Sequence, residues 1–236
     1  MKKFELTSEF ITNIFGTKLF RIKALIEFGN VKAGELGGFT EKEENLSQDG
    51  NAWVYDNARV YGDACVCGDA RVHGNARVCG DACVYDNARV YGDACVYDNA
   101  RVYGDACVCG DARVCDNARV YGNAWVYGDA RVCDNARVYG NAWVYGDACV
   151  CGDACVYGDA CVYGDAGYAT VHGFGSEYRT TTFFKTKAGD IGVKCGCFYG
   201  NLSEFRKKVV ETHGETKKAK EYLMLADLME FRLTHK

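Results

Sequence analysis

The 236-residue sequence contains no proline. Proline removes a backbone donor, so its absence suits a chain dominated by continuous β-ladders. Residues 51–168 also contain no lysine; nine Arg stand there against sixteen Asp, a net charge of −7. Residues 1–50 carry −1 and residues 169–236 carry +4, so the whole chain is at −4. That balance supplies no basic field for nucleic acid. No run approaches the ~18 apolar residues of a membrane span. The start, Met1-Lys2-Lys3-Phe4-Glu5-Leu6, has no apolar core long enough for a secretory leader. The expectation is a cytoplasmic protein with no nucleic-acid partner and no membrane partner.

Cysteine is abundant instead, with fifteen residues. In a short secreted chain this would announce a disulfide framework. Here the thiols follow no spacing of their own and sit where a repeat places other residues, which points to a reducing compartment. Thirteen lie in the repeat, all at outward positions. Single-base codon changes link Arg, Cys, Tyr and Trp, so drift among duplicated units accounts for the scatter. Cys65, Cys67 and Cys83 form one possible cluster and Cys149, Cys151 and Cys155 another, but neither has the paired C-x-x-C spacing of structural zinc. Cys195-Gly196-Cys197 places two thiols on one face of a tail strand. No metal and no cofactor is expected.

The dominant pattern has a period of six. Alanine recurs at every sixth residue from Ala52 to Ala166, and valine from Val54 to Val162, without an insertion. The unit reads Ala-x-Val-y-Gly/Asp-Asp/Asn. Ala and Val lie two apart and so share one face of a strand, with x and y on the other. The last two residues are of types that tolerate left-handed backbone, hence a corner. Three corners close a coil of about 18 residues, and each residue stacks on the one 18 further on, roughly 4.8 Å away. Residues 51–168 then make about six to seven coils around a narrow core of Ala and Val.

This repeat resembles that of the left-handed β-helix hexapeptide-repeat proteins. Val matches their aliphatic position, Ala their small inward position, and Asp or Asn their left-handed turn position. Twenty units in register are not a chance occurrence. The flanks, Leu19-Phe20-Arg21-Ile22-Lys23-Ala24-Leu25 through Gly37-Gly38-Phe39 and Glu44-Asn45-Leu46-Ser47, and Thr180 to Leu233, resemble those of phage and prophage hexapeptide-repeat proteins of polymer-forming type. The resemblance implies a mainly β, left-handed triangular prism that self-assembles, with a trimer favoured.

Three parts follow: a cap with irregular first coils (1–50), the repeat (51–168), and a ββαα module (169–236) that either closes the last coil or docks to a partner. Phe10 to Phe28 reads as strands or a strand–helix mix. In the tail, Tyr178 to Lys187 and Ile191 to Tyr199 read as strands around Ala188-Gly189-Asp190. Asn201 and Glu204 form a capping box. Leu202, Phe205, Val209 and Val210 make one apolar face and Gly214 ends the helix. Thr216 starts a second helix with a stripe of Tyr222, Leu223, Ala226, Met229 and Leu233.

The 18-residue coil sorts the outward residues onto three faces. One carries Tyr85, Tyr103, Tyr121, Tyr139 and Tyr157, beside Arg101, Arg119 and Arg137. A second carries Trp53, Trp125 and Trp143 beside Tyr55, Tyr91, Tyr127, Tyr145 and Tyr163. The third mixes Arg59, Arg77, Arg113 and Arg131 with Cys115, Cys133 and Cys151. Such columns stabilise neighbouring rungs by stacking and cation–π contact, and Tyr, Arg and Trp are also the types enriched at binding hot spots. The corners at 56–57, 86–87, 98–99, 116–117 and 134–135 are Asp-Asn followed by Ala-Arg, so Arg can offset the Asp column; duplication of a DNA unit accounts for the pattern equally.

Many hexapeptide-repeat relatives are acyltransferases that use a histidine beside a loop leaving the coil. Of the four histidines, His73 is an outward ladder residue with no loop around it, His172 falls past the last regular coil, and His213 and His235 lie in the tail. No catalytic residue is singled out. The reading is a non-enzymatic rigid scaffold whose candidate binding surface is the Tyr ladder with Arg101, Arg119, Arg137, Trp125 and Trp143, and whose partner is itself, a host protein or a small signalling molecule. An acyltransferase and a virion or filament component are the alternatives.

Overall fold

The structure is a computed structural model that describes residues 2–164, 167–174 and 179–234. Ala166, Tyr178 and His235, named above, lie outside these.

Short strands run from β4 (Trp53–Val54) to β22 (Cys161–Tyr163), one per hexapeptide. They stack into three parallel walls, with β4 and every third strand after it forming a seven-stranded sheet. Pairing follows the 18-residue coil, as in Arg101↔Arg119 and Val102↔Val120. Ala and Val point inward throughout: Ala58 to Ala160 and Val54 to Val162 are at most 1% exposed. Each valine contributes roughly 1.5–3 kcal/mol of burial, so the small repeated side chains supply a continuous core that no single coil could make.

The corners show why two residue types share one position. The first corner residue, not the Asp or Asn after it, carries the left-handed backbone. It is Gly at most corners and Asp at 56, 86, 98, 116 and 134, all with φ between 52° and 58°. Aspartate tolerates that strain better than other side-chain-bearing residues. Its carboxylate also accepts the N–H of the corner one coil on: Gly74 N–H donates to Asp56 Oδ2 at 3.1 Å, Gly104 to Asp86 at 3.2 Å and Gly152 to Asp134 at 2.9 Å. Among the described residues no repeat arginine forms an ion pair with these carboxylates. The corner Asp is therefore a backbone acceptor, and the expected offset of Asp by Arg is not made as a contact.

Hydrogen bonding between coils gives the two ends different chemistry. N–H groups of x and y donate to Ala and Val carbonyls of the next coil, as from Arg101 to Ala118 at 2.9 Å and from Tyr103 to Val120 at 3.0 Å. The repeat by itself would therefore end in carbonyls at its first coil and in N–H groups at its last, so the two flanks meet opposite chemistry.

The N-terminal end is closed by strands. β1 (Phe4–Thr12), β2 (Lys18–Ala24) and β3 (Leu36–Thr40) form an antiparallel set that continues one wall, β3 running parallel to β5 (Arg59–Val60). The segment from Phe10 to Phe28 is thus strand, not a strand–helix mix. Donor side chains meet the open carbonyls. Lys3 Nζ donates to Ala52 O at 3.1 Å and Gly50 O at 3.3 Å, and Asn45 Nδ2 to Gly62 O and Ala64 O at 2.9 Å each. Lys3 is 2% exposed, and burial pulls its amine down to about 8.

The C-terminal end is closed by a separate sheet, β23 (Tyr168–Phe174), β24 (Arg179–Lys185), β25 (Ile191–Cys195) and β26 (Phe198–Asn201), antiparallel in that order. Helices α1 (Leu202–His213) and α2 (Lys217–Thr234) follow. The sheet has two more strands than the sequence pattern suggested: β23 precedes them, and Gly196 at φ 55° splits the span 191–199 into a hairpin. Cys195 ends one strand and Cys197 lies on the turn, so the two thiols do not share a strand face. Phe184 joins the solenoid core while Phe183 packs against Phe205 and the helices. The capping box holds: Glu204 N–H donates to Asn201 Oδ1 and Asn201 N–H to Glu204 Oε2, both at 2.9 Å. Val210 points outward at 52% exposure, and Leu225, not Leu223, completes the buried stripe of α2.

Acceptor hydroxyls serve this end. Tyr168 Oη accepts from Cys151 N–H at 3.3 Å and donates to Cys149 O at 2.7 Å, and Thr182 Oγ1 accepts from Cys155 N–H at 3.0 Å.

Candidate functional site

The y position of one wall forms the tyrosine column. Tyr85, Tyr103, Tyr121 and Tyr139 stack with ring centroids 4.7–4.8 Å apart and planes within 6°. Tyr157 tilts by 31° at 4.4 Å, and Tyr199 from β26 closes the column edge-on at 4.6 Å. The coil spacing imposes this stack, because residues 18 apart share one position. A Cβ at Gly158 would run into the Tyr199 ring, so glycine is required where the tail meets the ladder. Arg101, Arg119 and Arg137 stand exposed beside the column. Among the described residues none of these three arginines lies over a ring; the cation that does is Lys194 of the tail, 6.0 Å from the Tyr157 ring centre.

The second wall departs further from expectation. Trp53 is 0% exposed. It lies under the N-terminal strands, edge-on to Phe4 at 6.2 Å and Phe28 at 5.4 Å, so it belongs to the core. Trp125 and Trp143 occupy the same column four and five coils away in the open part, each 40% exposed. With Tyr127 they line a shallow, almost wholly apolar concavity of about 220 Å³. Lys187 Nζ sits 3.9 Å over the Trp143 ring and donates to Asn141 O at 3.1 Å. Tyr127 and Tyr145 stack beside the tryptophans at 5.0 Å.

His73 is one ring of this wall's y column, stacked on Tyr91 at 5.0 Å and 7°. Burial lowers its basicity, which favours a neutral ring in the stack. His172 Nδ1 is 3.0 Å from Thr180 Oγ1 on the exposed tail sheet. His213 stacks on Tyr222 and lines a cavity of about 240 Å³ with Cys195, Cys197 and Lys208.

The thiols are less uniformly outward than the repeat implied. Cys107 and Cys115 are buried at 3% and 8% exposure, Cys107 between Arg89 and Trp125 of the adjacent coils. Hydrogen bonds from Cys107 and Tyr91 hold the Cys109 thiol below its ordinary value. Burial pushes Cys133 up to about 12 and Cys115 up to about 11. Cys65 and Cys83 are in-register partners on adjacent coils. Among the described residues no three His, Cys, Asp or Glu side chains come close enough to hold a metal ion, and no helix is long and apolar enough to cross a membrane.

Sequence reasoning missed one feature, a cavity of about 490 Å³ where the last coils meet the tail, lined by Cys149, Cys151, Tyr168, Thr170, Met229 and Arg232. The repeat register placed the thiols, but nothing in the linear pattern brought α2 over them.

Repeat and fold together make this a hexapeptide-repeat-type β-solenoid protein. Four segments, residues 52–68, 94–110, 112–128 and 130–146, match the YdcK beta solenoid repeat. The chain is also similar to the uncharacterized acetyltransferase YdcK of Escherichia coli (strain K12), 37% identical over 67 residues that make up 25% of this chain. The match covers 21% of that protein's length.

Proposed function

We propose that this protein is a non-enzymatic binding scaffold that docks a protein partner on the Trp125–Tyr127–Trp143 face. The observation that carries this reading is the exposure of two tryptophans, 40% each, around an apolar concavity on a rigid wall. Tryptophan and tyrosine at the centre of a rigid patch are the residues that dominate protein interfaces. Folding does not require them there, since Arg71, Arg89, Cys107 and Cys161 fill the same column elsewhere. Self-association, with a trimer favoured, and a host protein as the partner are the forms of this reading suggested by the likeness to phage-type proteins. The cytosol is its compartment.

Tryptophan fluorescence tests it, because Trp53 is shielded and reports nothing from the surface. Acrylamide quenching is followed as the protein is concentrated, with native mass spectrometry on the same samples. Quenching that falls as a defined oligomer forms supports docking on this face; unchanged quenching in that oligomer moves self-association elsewhere. The name of the YdcK relative motivates the rival reading, acetyl transfer. Release of coenzyme A from acetyl-CoA in the presence of an amine or hydroxyl acceptor, above the rate without protein, would overturn the non-enzymatic reading.

A further inference from the structure

The junction cavity brings two thiols, a tyrosine and an arginine together at the open end of one wall. Its floor is the outer face of the last rung on one wall, where Cys149 and Cys151 lie two apart on the same side. Cys151 is exposed. The next corner, Gly152, has nothing within 4 Å of an added Cβ, whereas corner glycines lower in the solenoid meet the corner above them. The missing coil thus leaves open space beside the thiol. Tyr168 forms one side, with its oxygen 3.9 Å from Cys151 Sγ. Its own hydrogen is committed to Cys149 O at 2.7 Å, so it does not serve as donor to the sulfur. α2 forms the other side with Met229 and Arg232. Arg232 makes no ion pair among the described residues and is the single cation on the cavity wall.

We infer that this cavity is a thiol-exchange site for a small anionic disulfide. Arg232 binds the carboxylate of the ligand, since guanidinium pairs with carboxylate through two parallel bonds. Met229 covers the ligand's apolar part. Cys151, as its thiolate, attacks one ligand sulfur; the ligand S–S bond breaks, a Cys151–ligand S–S bond forms, and the released thiolate takes the proton that Cys151 gave up. The ligand disulfide is the oxidant, and no other reactant is needed. A cavity of this volume falls within the range of small-molecule sites.

The experiment uses the full-length protein with its thiols reduced. Glutathione disulfide is the anionic probe and bis(hydroxyethyl) disulfide the uncharged one. Peptide mass mapping over time reads every cysteine, including exposed Cys197 on the tail turn. Cys151 is expected to react several-fold faster than Cys197 with glutathione disulfide, and to lose that lead with the uncharged reagent. Arg232→Gln should abolish the preference for the anionic probe while leaving the uncharged rate and the far-UV circular dichroism unchanged. A Cys151 rate with glutathione disulfide no higher than that of Cys197, or a preference that survives Arg232→Gln, would overturn the assignment.

Discussion

Trp53 and Trp125 hold the same repeat position in the same column, four coils apart on one sheet, yet one is wholly buried and the other 40% exposed. The repeat unit does not decide this; the neighbouring end does. At the N-terminal end, strands β1 to β3 extend a wall and fold over the first rung, converting an outward indole into core. At the C-terminal end a separate sheet stands on the last coils, joined to them by a backbone bridge at Ala160 and Thr186 and by side chains, and leaves a cavity. A solenoid's outer surface is thus functional or structural according to what the flanks cover.

The largest expected effect separates the two tryptophans. Trp53→Ala should cost about 3–5 kcal/mol in urea unfolding, as for other buried large-to-small changes. Trp125→Ala and Trp143→Ala should each cost under about 1 kcal/mol, as for surface positions, and act on association instead. Equal losses at all three would erase the distinction. Trp53 Nε1 is buried without a partner, so Trp53→Phe should cost much less than the alanine change.

A second comparison concerns the corners. Asp134→Ala should lose about 1–2 kcal/mol through left-handed strain, and also the bond to Gly152 N–H. Asp134→Gly should lose only the bond, about 1 kcal/mol. The order alanine worse than glycine, read from thermal midpoints, is the diagnostic; the reverse would mean that left-handed strain does not set the cost at this corner.

The N-terminal cap and the outward ladders also titrate in opposite senses. Lys3 is held at about 8 in the folded chain, below its unfolded value. The unfolded state therefore binds the extra proton between these values, and this group alone raises stability as pH climbs through that window. The ladder thiols and phenols run the other way. Cys115 and Cys133 are pushed up to about 11 and 12, and Tyr61 and Tyr97 to about 12, mainly by burial and by bonds to neighbouring thiols. Their folded values lie above the unfolded ones, so their contribution is complete below about pH 9 and is lost as pH rises further. With many groups against one, the urea midpoint should fall between pH 9 and 11, and Lys3→Met should make that fall steeper.

The smallest effect belongs to the last rung. Tyr168→Phe removes one hydroxyl that serves two backbone groups and should cost about 1 kcal/mol. Amide exchange should quicken at Cys151 and stay unchanged at Arg101 and Arg119; uniform quickening would show that the coils open together.

The solenoid was legible in the sequence because its physics is local and repeated. Ala at 52 and Val at 54 announce an inward face, and twenty repetitions leave one way to bury it. The stacking of Tyr85 through Tyr139 followed from the same register. What was not legible depended on contacts between distant segments. Nothing in Trp-Val-Tyr at 53–55 distinguishes it from Trp-Val-Tyr at 125–127; Phe4 and Phe28 do. Gly196 looked like part of a strand because glycine carries no pattern of its own. Leu223 and Leu225 are both apolar, but Leu225 is buried in the tail core while Leu223 packs partly exposed at its edge.

The 18-residue coil has a consequence for how such a protein changes length. Deleting or duplicating three hexapeptides returns the chain to the same wall, so both flanks would meet the backbone groups they meet now. Deleting one hexapeptide would instead turn the tail by one wall and carry Tyr168, Tyr199 and α2 onto a different face. Lineages of this protein should therefore differ by whole coils when the tail's position matters, and by single hexapeptides only where it does not.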